Sequence, residues 1–362
     1  MAMFDELRYV PVLRCKSAEC MALRALFPAD KQRITPLVEI PPTVFVPVKR
    51  KRDDRPKRKD PIKAVRSIVG ALQQVWESRP LFLDLGLLRN DFRIEGRMPL
   101  EVFVEEARRR KLSIVPVTSI RASDEHRAAV RAVGRRSGVC IRLKEMDLIL
   151  SDLKDRLRQL HTDIKVHPKR ADLIVDFELC YDGATSFAEV CSMVPALNVW
   201  RSFTILSGAF AKNLADFTMN SVTTRRRSDW LRWCNQSCDG AALPRRPNFG
   251  DYTIQYAKYL EPRPGSRPSA SVRYALENDW LILRGEWPGK ESGPGREQYT
   301  MWARVLCSRP EFSGKDFSAG DAYIAERALD ESRTGDPREW LFAGINHHMT
   351  LTVRQLSKIV GS

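Results

Sequence analysis

The run Leu173-Ile174-Val175-Asp176-Phe177-Glu178 sets two carboxylates two positions apart in an otherwise apolar segment. In an extended chain such positions share a face, and a buried face does not hold two carboxylates without partners. Charged residues close other apolar runs in the same way: Glu39 after Pro36-Leu37-Val38, Asp84 after Leu81-Phe82-Leu83, Arg142 after Val139-Cys140-Ile141. Lys16 and Glu19 follow the first run, and Asp251 stands at the start of the last. Brought together, these residues suit two chemistries. An oxygen-only ligand set fits Mg²⁺ or Mn²⁺, which would hold and polarise a phosphoryl group. A carboxylate pair with separated pKa values would serve as general acid and base. A third outcome is a ring of charge pairs that catalyses nothing. Glu39, Asp84, Arg142, Asp176 and Glu178 are therefore the candidate catalytic residues, and Lys16, Glu19 and Asp251 the candidate ligand-binding ones; the pattern assigns no particular metal ligand.

The elements that must position them repeat. Strand-like runs cover Tyr9–Leu13, Ile34–Glu39, Leu81–Leu85, Ile114–Thr118, Val139–Arg142, Leu173–Glu178, Ser202–Leu206 and Tyr252–Tyr256, with helical stretches between. Short apolar runs alternating with helices indicate β-α units and a parallel sheet. Eight such units predict an α/β fold of the (β/α)₈ TIM-barrel type, whose chemistry sits at the carboxyl ends of the strands. The barrel is expected over residues 8–260. A C-terminal extension over 261–362 then carries a hairpin, Val272–Leu276 with Trp280–Arg284, and helices near Tyr323–Ala328, Glu339–Ile345 and Val353–Ile359 packed on the barrel.

The net charge of +15 over 362 residues points to a phosphate-rich partner. Eight basic residues against two acids fill Lys49–Lys59, and Arg225-Arg226-Arg227 stand close to Trp230 and Trp233. Lys49, Arg50, Lys51, Arg52, Arg225, Arg226 and Arg227 are the candidate nucleic-acid contacts, made through phosphates and without sequence readout. The two tryptophans fit a base-stacking role or helical core packing. No apolar run approaches the roughly 18 residues of a membrane helix, and Met1–Arg8 lacks the apolar stretch of a signal peptide. A cytoplasmic protein that does not engage a membrane is the expectation, with its eight cysteines reduced. The adjacent His347-His348 read as a hydrogen-bonded structural pair or, from a turn, as one general base.

Tyr9-x-Pro11-x-Leu13-x-x-Lys16-x-x-Glu19-x-x-Ala22-Leu23, Pro36-Leu37-Val38-Glu39, Phe249-Gly250-Asp251-Tyr252 and the closing Trp340…His347-His348 together resemble the beta protein family of phages, prophages and bacterial mobile elements. The resemblance spans nearly the whole chain. It implies a barrel-like domain and a setting of phage–host conflict, including a partner protein encoded nearby, and it brings no agreed catalytic residues. Two roles follow as expectations. One is a barrel that binds nucleic acid or another phosphate-rich ligand, with or without metal-assisted phosphodiester chemistry. The other is a non-catalytic subunit acting through a partner protein.

Overall fold

The computed structural model describes residues 7–46, 60–238, 243–261, 265, 268–289 and 293–361. Among the described residues, nine strands and nine α-helices run from residue 9 to 251. The strands are β1 (Tyr9–Leu13), β2 (Leu37–Glu39), β3 (Leu81–Asp84), β4 (Ile114–Thr118), β5 (Val139–Lys144), β6 (Ala171–Leu179), β7 (Ser202–Gly208), β8 (Ser221–Arg226) and β9 (Asn248–Asp251). The helices are α1 (Ser17–Arg24), α2 (Pro28–Gln32), α3 (Pro61–Trp76), α4 (Pro99–Arg109), α5 (Asp124–Ser137), α6 (Glu145–Leu148), α7 (Leu153–Ile164), α8 (Phe187–Met193) and α9 (Ser228–Ser237). After them come β10 (Ser271–Ala275), β11 (Asp279–Arg284), α10 (Glu297–Cys307), α11 (Ala319–Leu329) and α12 (Pro337–Gly361).

Strands β1 to β7 and β9 close into an eight-stranded barrel, every neighbouring pair parallel. This is the TIM-barrel-like α/β fold that the β-α period predicts. The strands are apolar on both faces because both are covered. Val10, Val12, Leu37, Phe82, Val115 and Ile174 fill the interior, while alternate residues such as Val38, Leu83 and Val175 pack under the helices. Local signals set the helices. On α3, the Asp60 carboxylate accepts from the backbone N–H of Ile62 and Lys63, Pro61 opens the first turn, and Val65, Val69, Leu72 and Trp76 recur on the buried face.

Three elements differ from the sequence expectation. The last barrel strand is Asn248–Asp251 rather than Tyr252–Tyr256; the expected run begins where the backbone turns, and Thr253 has a positive φ. The stretch after β7 forms β8, which pairs antiparallel with β11 in the sheet β10-β11-β8. A strand within the 8–260 span therefore belongs to the later sheet, tying the extension into the barrel. The two expected final helices are one, α12, which packs on α1 and β10. Gly344 makes that approach close: a Cβ there would lie 2.5 Å from the Arg273 carbonyl oxygen.

Candidate functional site

Period-2 alternation carries the charges into the barrel. Leu37 leads to Glu39, Phe82 to Asp84, Cys140 to Arg142 and Ile174 to Asp176, so each strand puts an apolar residue deep and a charge above it. Arg142 stands at the centre. Its Nη1 donates to Glu39 Oε1 at 2.9 Å and Asp84 Oδ2 at 2.6 Å. Its Nη2 donates to Asp176 Oδ2 at 2.6 Å and the Tyr252 hydroxyl at 2.9 Å, and Nε adds a second bond to Asp176 at 2.9 Å. One guanidinium fork thus ties four strands and the segment after β9 together. Lys144 Nζ reaches Asp176 at 2.6 Å and Glu178 at 3.0 Å. Arg14 Nε donates to Glu39 Oε2 at 3.2 Å, and its Nη1 holds the Tyr256 carbonyl at 3.0 Å.

These contacts decide what the ring can do. Burial alone would raise the Asp176 pKa, but Arg142 and then Lys144 hold it down to about 2. It stays ionised at neutral pH and is no proton donor. Arg142 is itself held protonated, since its carboxylate and Tyr252 neighbours outweigh the cost of burial. For Mg²⁺ or Mn²⁺ the donor set does not fit: Glu39, Asp84 and Asp176 turn oxygens to the guanidinium that occupies their centre. Among the described residues no group of three or more His, Cys, Asp or Glu side chains is arranged to hold a metal ion.

Above the ring opens a cavity of about 530 Å³. Glu39, Asp84, Arg142 and Glu178 line its floor, and Asp176 lies sealed beneath. Leu87, Leu88, Phe92, Met98 and Leu100 form one wall, with Phe92 braced against Phe45 at a ring separation of 4.9 Å. Arg89, Arg121 and Lys258 stand around it. The exposed charge is mostly basic: the Arg89, Arg121 and Lys258 side chains, paired with Asp91, Asp147 and Glu178, are 84%, 52% and 52% exposed, against 37% for Glu178 and 7% and 10% for Glu39 and Asp84. Glu178 closes β6 with a φ of 56°, a left-handed conformation of the kind that collects at functional sites.

A family model described as "Beta protein" matches residues 9–354. The chain belongs to the beta protein family. No curated protein matches the sequence. Among solved structures the chain is similar to one titled "Crystal Structure of SacUVDE", at 10% identity and a TM-score of 0.33, over 69% of this chain and 94% of that one. A likeness this slight carries no argument about function.

All three predicted ligand-binding residues of this beta-family barrel lie away from the cavity lining. Lys16 is exposed outside it. Glu19 is turned into its own loop, where it accepts from the Arg14 and Lys16 backbone N–H groups at 2.8 Å and from Gln255 Nε2 at 2.6 Å. Asp251 has the opposite parity to Gly250, so it faces out of the barrel. There it accepts from the Tyr9 hydroxyl at 2.5 Å and pairs with His348 Nε2 at 2.7 Å. His347 is equally buried, bridging Asp321 and the Ala275 carbonyl at 2.8 Å each. Both histidines thus join α12 to the body of the protein.

Within the arginine triplet Arg227 is built into the structure, while Arg225 and Arg226 are exposed. Arg227 is fully buried and donates to the Leu276 and Glu277 carbonyls and to Gln355 and Thr352. Arg225 holds the Ala209 carbonyl and Arg226 pairs with Asp279. A strand alternates its side chains, which is why the three do not form one basic patch. Trp230 and Trp233 are buried and stack on each other at 5.7 Å beside Phe249. Lys49, Arg50, Lys51 and Arg52 lie outside the described residues.

Residues that pattern reading passed over complete the site. Arg14 and Lys144 continue the inward alternation of Val12 and Arg142 one step past the apolar run. That parity was the available signal. Buried Asp229, near Asp251, accepts the Ala209 and Trp230 backbone N–H groups. Burial first, and then repulsion from Asp251, push its pKa up to about 7. A folded-state pKa above the unfolded value of about 3.9 gives stability that is full below that value and lost as pH rises through about 7. Urea midpoints measured from pH 4 to 8 are expected to fall across this window in the wild type and less in Asp229→Asn. An unchanged slope in the variant would assign the effect elsewhere.

Proposed function

We propose that the barrel mouth binds a phosphate-bearing ligand, nucleic acid or nucleotide, and holds it without catalysing a reaction. The observation that carries this reading is the distribution of charge in the cavity: Glu39, Asp84 and Asp176 nearly buried around Arg142, and Arg89, Arg121 and Lys258 exposed around the wall, where Glu178 is the half-buried acid. The floor supports binding over catalysis, because its carboxylates are already ion-paired with Arg142 and keep only spare lone pairs for a ligand's donors. Phosphate contacts give affinity with little sequence preference. By its family, the protein would act in phage–host conflict, in the cytoplasm, with a protein partner encoded nearby.

The test is a gel-shift series with single- and double-stranded oligonucleotides across salt. Affinity should fall by about 0.7–0.9 log units per log unit of salt for each phosphate neutralised. Arg89→Ala with Lys258→Ala should flatten that slope by roughly two phosphates' worth while leaving the fold intact. Replacing Lys49, Arg50, Lys51 and Arg52 by alanine forms a separate arm for the basic tract. The scaffold reading rests on a different surface: Met146, Ile149 and Tyr181 are 60%, 77% and 51% exposed near the same mouth. A chain that retains no oligonucleotide or nucleotide at any salt would turn the account to that surface.

A further inference from the structure

We infer that the cavity takes a nucleoside phosphate, nucleoside end inward and phosphate outward, with His126 reading a donor group of the base. This deepens, and rests on, the phosphate-binding reading of the same cavity. The chemistry lining it is ordered by depth. At the rim stand Arg89, Arg121 and Lys258, each paired on one side with a carboxylate (Asp91, Asp147 and Glu178) and each with further N–H donors for a phosphate. At the floor stand the oxygens of Glu39 and Asp84, each already holding one donor from the protein and each with a lone pair to spare. Between them runs the apolar wall of Leu87, Leu88, Phe92, Met98 and Leu100. A ligand that satisfies all three zones is anionic at one end, rich in N–H or O–H groups at the other, and flat and weakly polar along one side. Inorganic phosphate meets only the first demand. A sugar phosphate meets two. A nucleoside phosphate meets all three, and about 530 Å³ falls within the usual range for small-ligand cavities.

His126 gives the inner zone its specificity. It sits in the first turn of α5, and its Nε2 lies 3.3 Å from the Val117 carbonyl oxygen. A carbonyl only accepts, so Nε2 carries the proton and Nδ1 is left as a bare acceptor. Nδ1 is not among the sealed, unpartnered atoms of the molecule, and the residue lines the cavity. Burial holds the imidazole neutral by lowering its pKa, an effect that the Val117 carbonyl and Asp84 only partly offset. A neutral acceptor near the Asp84 carboxylate favours a ligand that brings donors. A buried site of this kind penalises an analogue that lacks them.

Two sources share this chemistry: a free nucleotide, and an unpaired terminal nucleotide of a strand. Calorimetric titration of the full chain with inorganic phosphate, ribose 5-phosphate, the four nucleoside 5′-monophosphates and a short 5′-phosphorylated oligonucleotide separates them. At least one monophosphate should bind about 10-fold or more tightly than ribose 5-phosphate, the worth of one or two good hydrogen bonds and stacked surface. His126→Leu should erase that preference and leave ribose 5-phosphate binding unchanged; His126→Gln, which keeps an acceptor, should retain part of it. Preference for the oligonucleotide over every monophosphate would name the strand as the source, and parity would name the free nucleotide. Equal binding of phosphate, ribose 5-phosphate and nucleotides would overturn the inference while the phosphate reading stands. Binding of none of them would remove both.

Discussion

Arg142→Met should destabilise the fold by roughly 3–5 kcal/mol, the cost of removing one partner from a buried ion cluster. Glu39, Asp84 and Asp176 would lose the guanidinium at their centre, and the Tyr252 hydroxyl a donor. The orphaned carboxylates, more than the missing contacts, carry the penalty. Neutralising them together, as Glu39→Gln, Asp84→Asn and Asp176→Asn on the Arg142→Met background, should therefore recover much of the loss. Acid provides a second check. The pKa of Asp176, depressed to about 2, contributes stability that is present above the unfolded value near 3.9 and lost as pH falls through about 2. Its size is roughly 2.6 kcal/mol. The variant lacks that contribution, so the gap between variant and wild type should narrow as pH falls below about 4. Urea denaturation at pH 7 and pH 3 measures both. A gap of under about 1 kcal/mol at pH 7 would mean that water or relaxation satisfies the carboxylates without Arg142.

Arg227→Ala should cost about 3 kcal/mol or more, as expected when a buried charged donor and its packing are removed together. Its Nη1 lies 2.9 Å from both the Leu276 carbonyl and Gln355 Oε1, and its guanidinium sits 5.4 Å from the Trp230 ring. The side chain joins the end of β8 to the β10–β11 turn and to α12, so losing it loosens the extension from the barrel. Arg226→Ala is the control. Its side chain is 67% exposed with a single pairing to Asp279 at 3.3 Å, and such surface changes stay within about 0.5 kcal/mol. Neither substitution should alter oligonucleotide affinity of the folded protein, because neither side chain belongs to the cavity. Weaker oligonucleotide binding by Arg226→Ala at unchanged stability would restore the triplet as a nucleic-acid contact.

What could be read from the chain follows from which interactions are local. Alternation within Leu173–Glu178 showed that Asp176 shares a face with Glu178, and the charged ends of β2, β3 and β5 showed where the mouth would be. Parity also contained Arg14 and Lys144, but an apolar run gives no sign of how far its strand extends. The pairing of Arg142 with Glu39 and Asp84 joins residues 103 and 58 positions apart; barrel register decides it, and a single sequence does not state that register. β8 was opaque for another reason. Ser-Val-Thr-Thr-Arg-Arg lacks a clear apolar face, so its strand form comes from pairing with β11 rather than from its own composition. The FGDY segment was legible as a landmark only. Gly250 and Tyr252 face the interior, and Asp251 between them is drawn outward by Tyr9 and His348.

The most direct measurement is a crystal structure of the chain soaked with a 5′-phosphorylated dinucleotide. The account predicts density in the cavity above Arg142, a phosphate within hydrogen-bond distance of Arg89, Arg121 or Lys258, and the Arg142 ion pairs unbroken. Density on another face with the cavity empty, or a ligand that displaces Arg142 from its carboxylates, would contradict it.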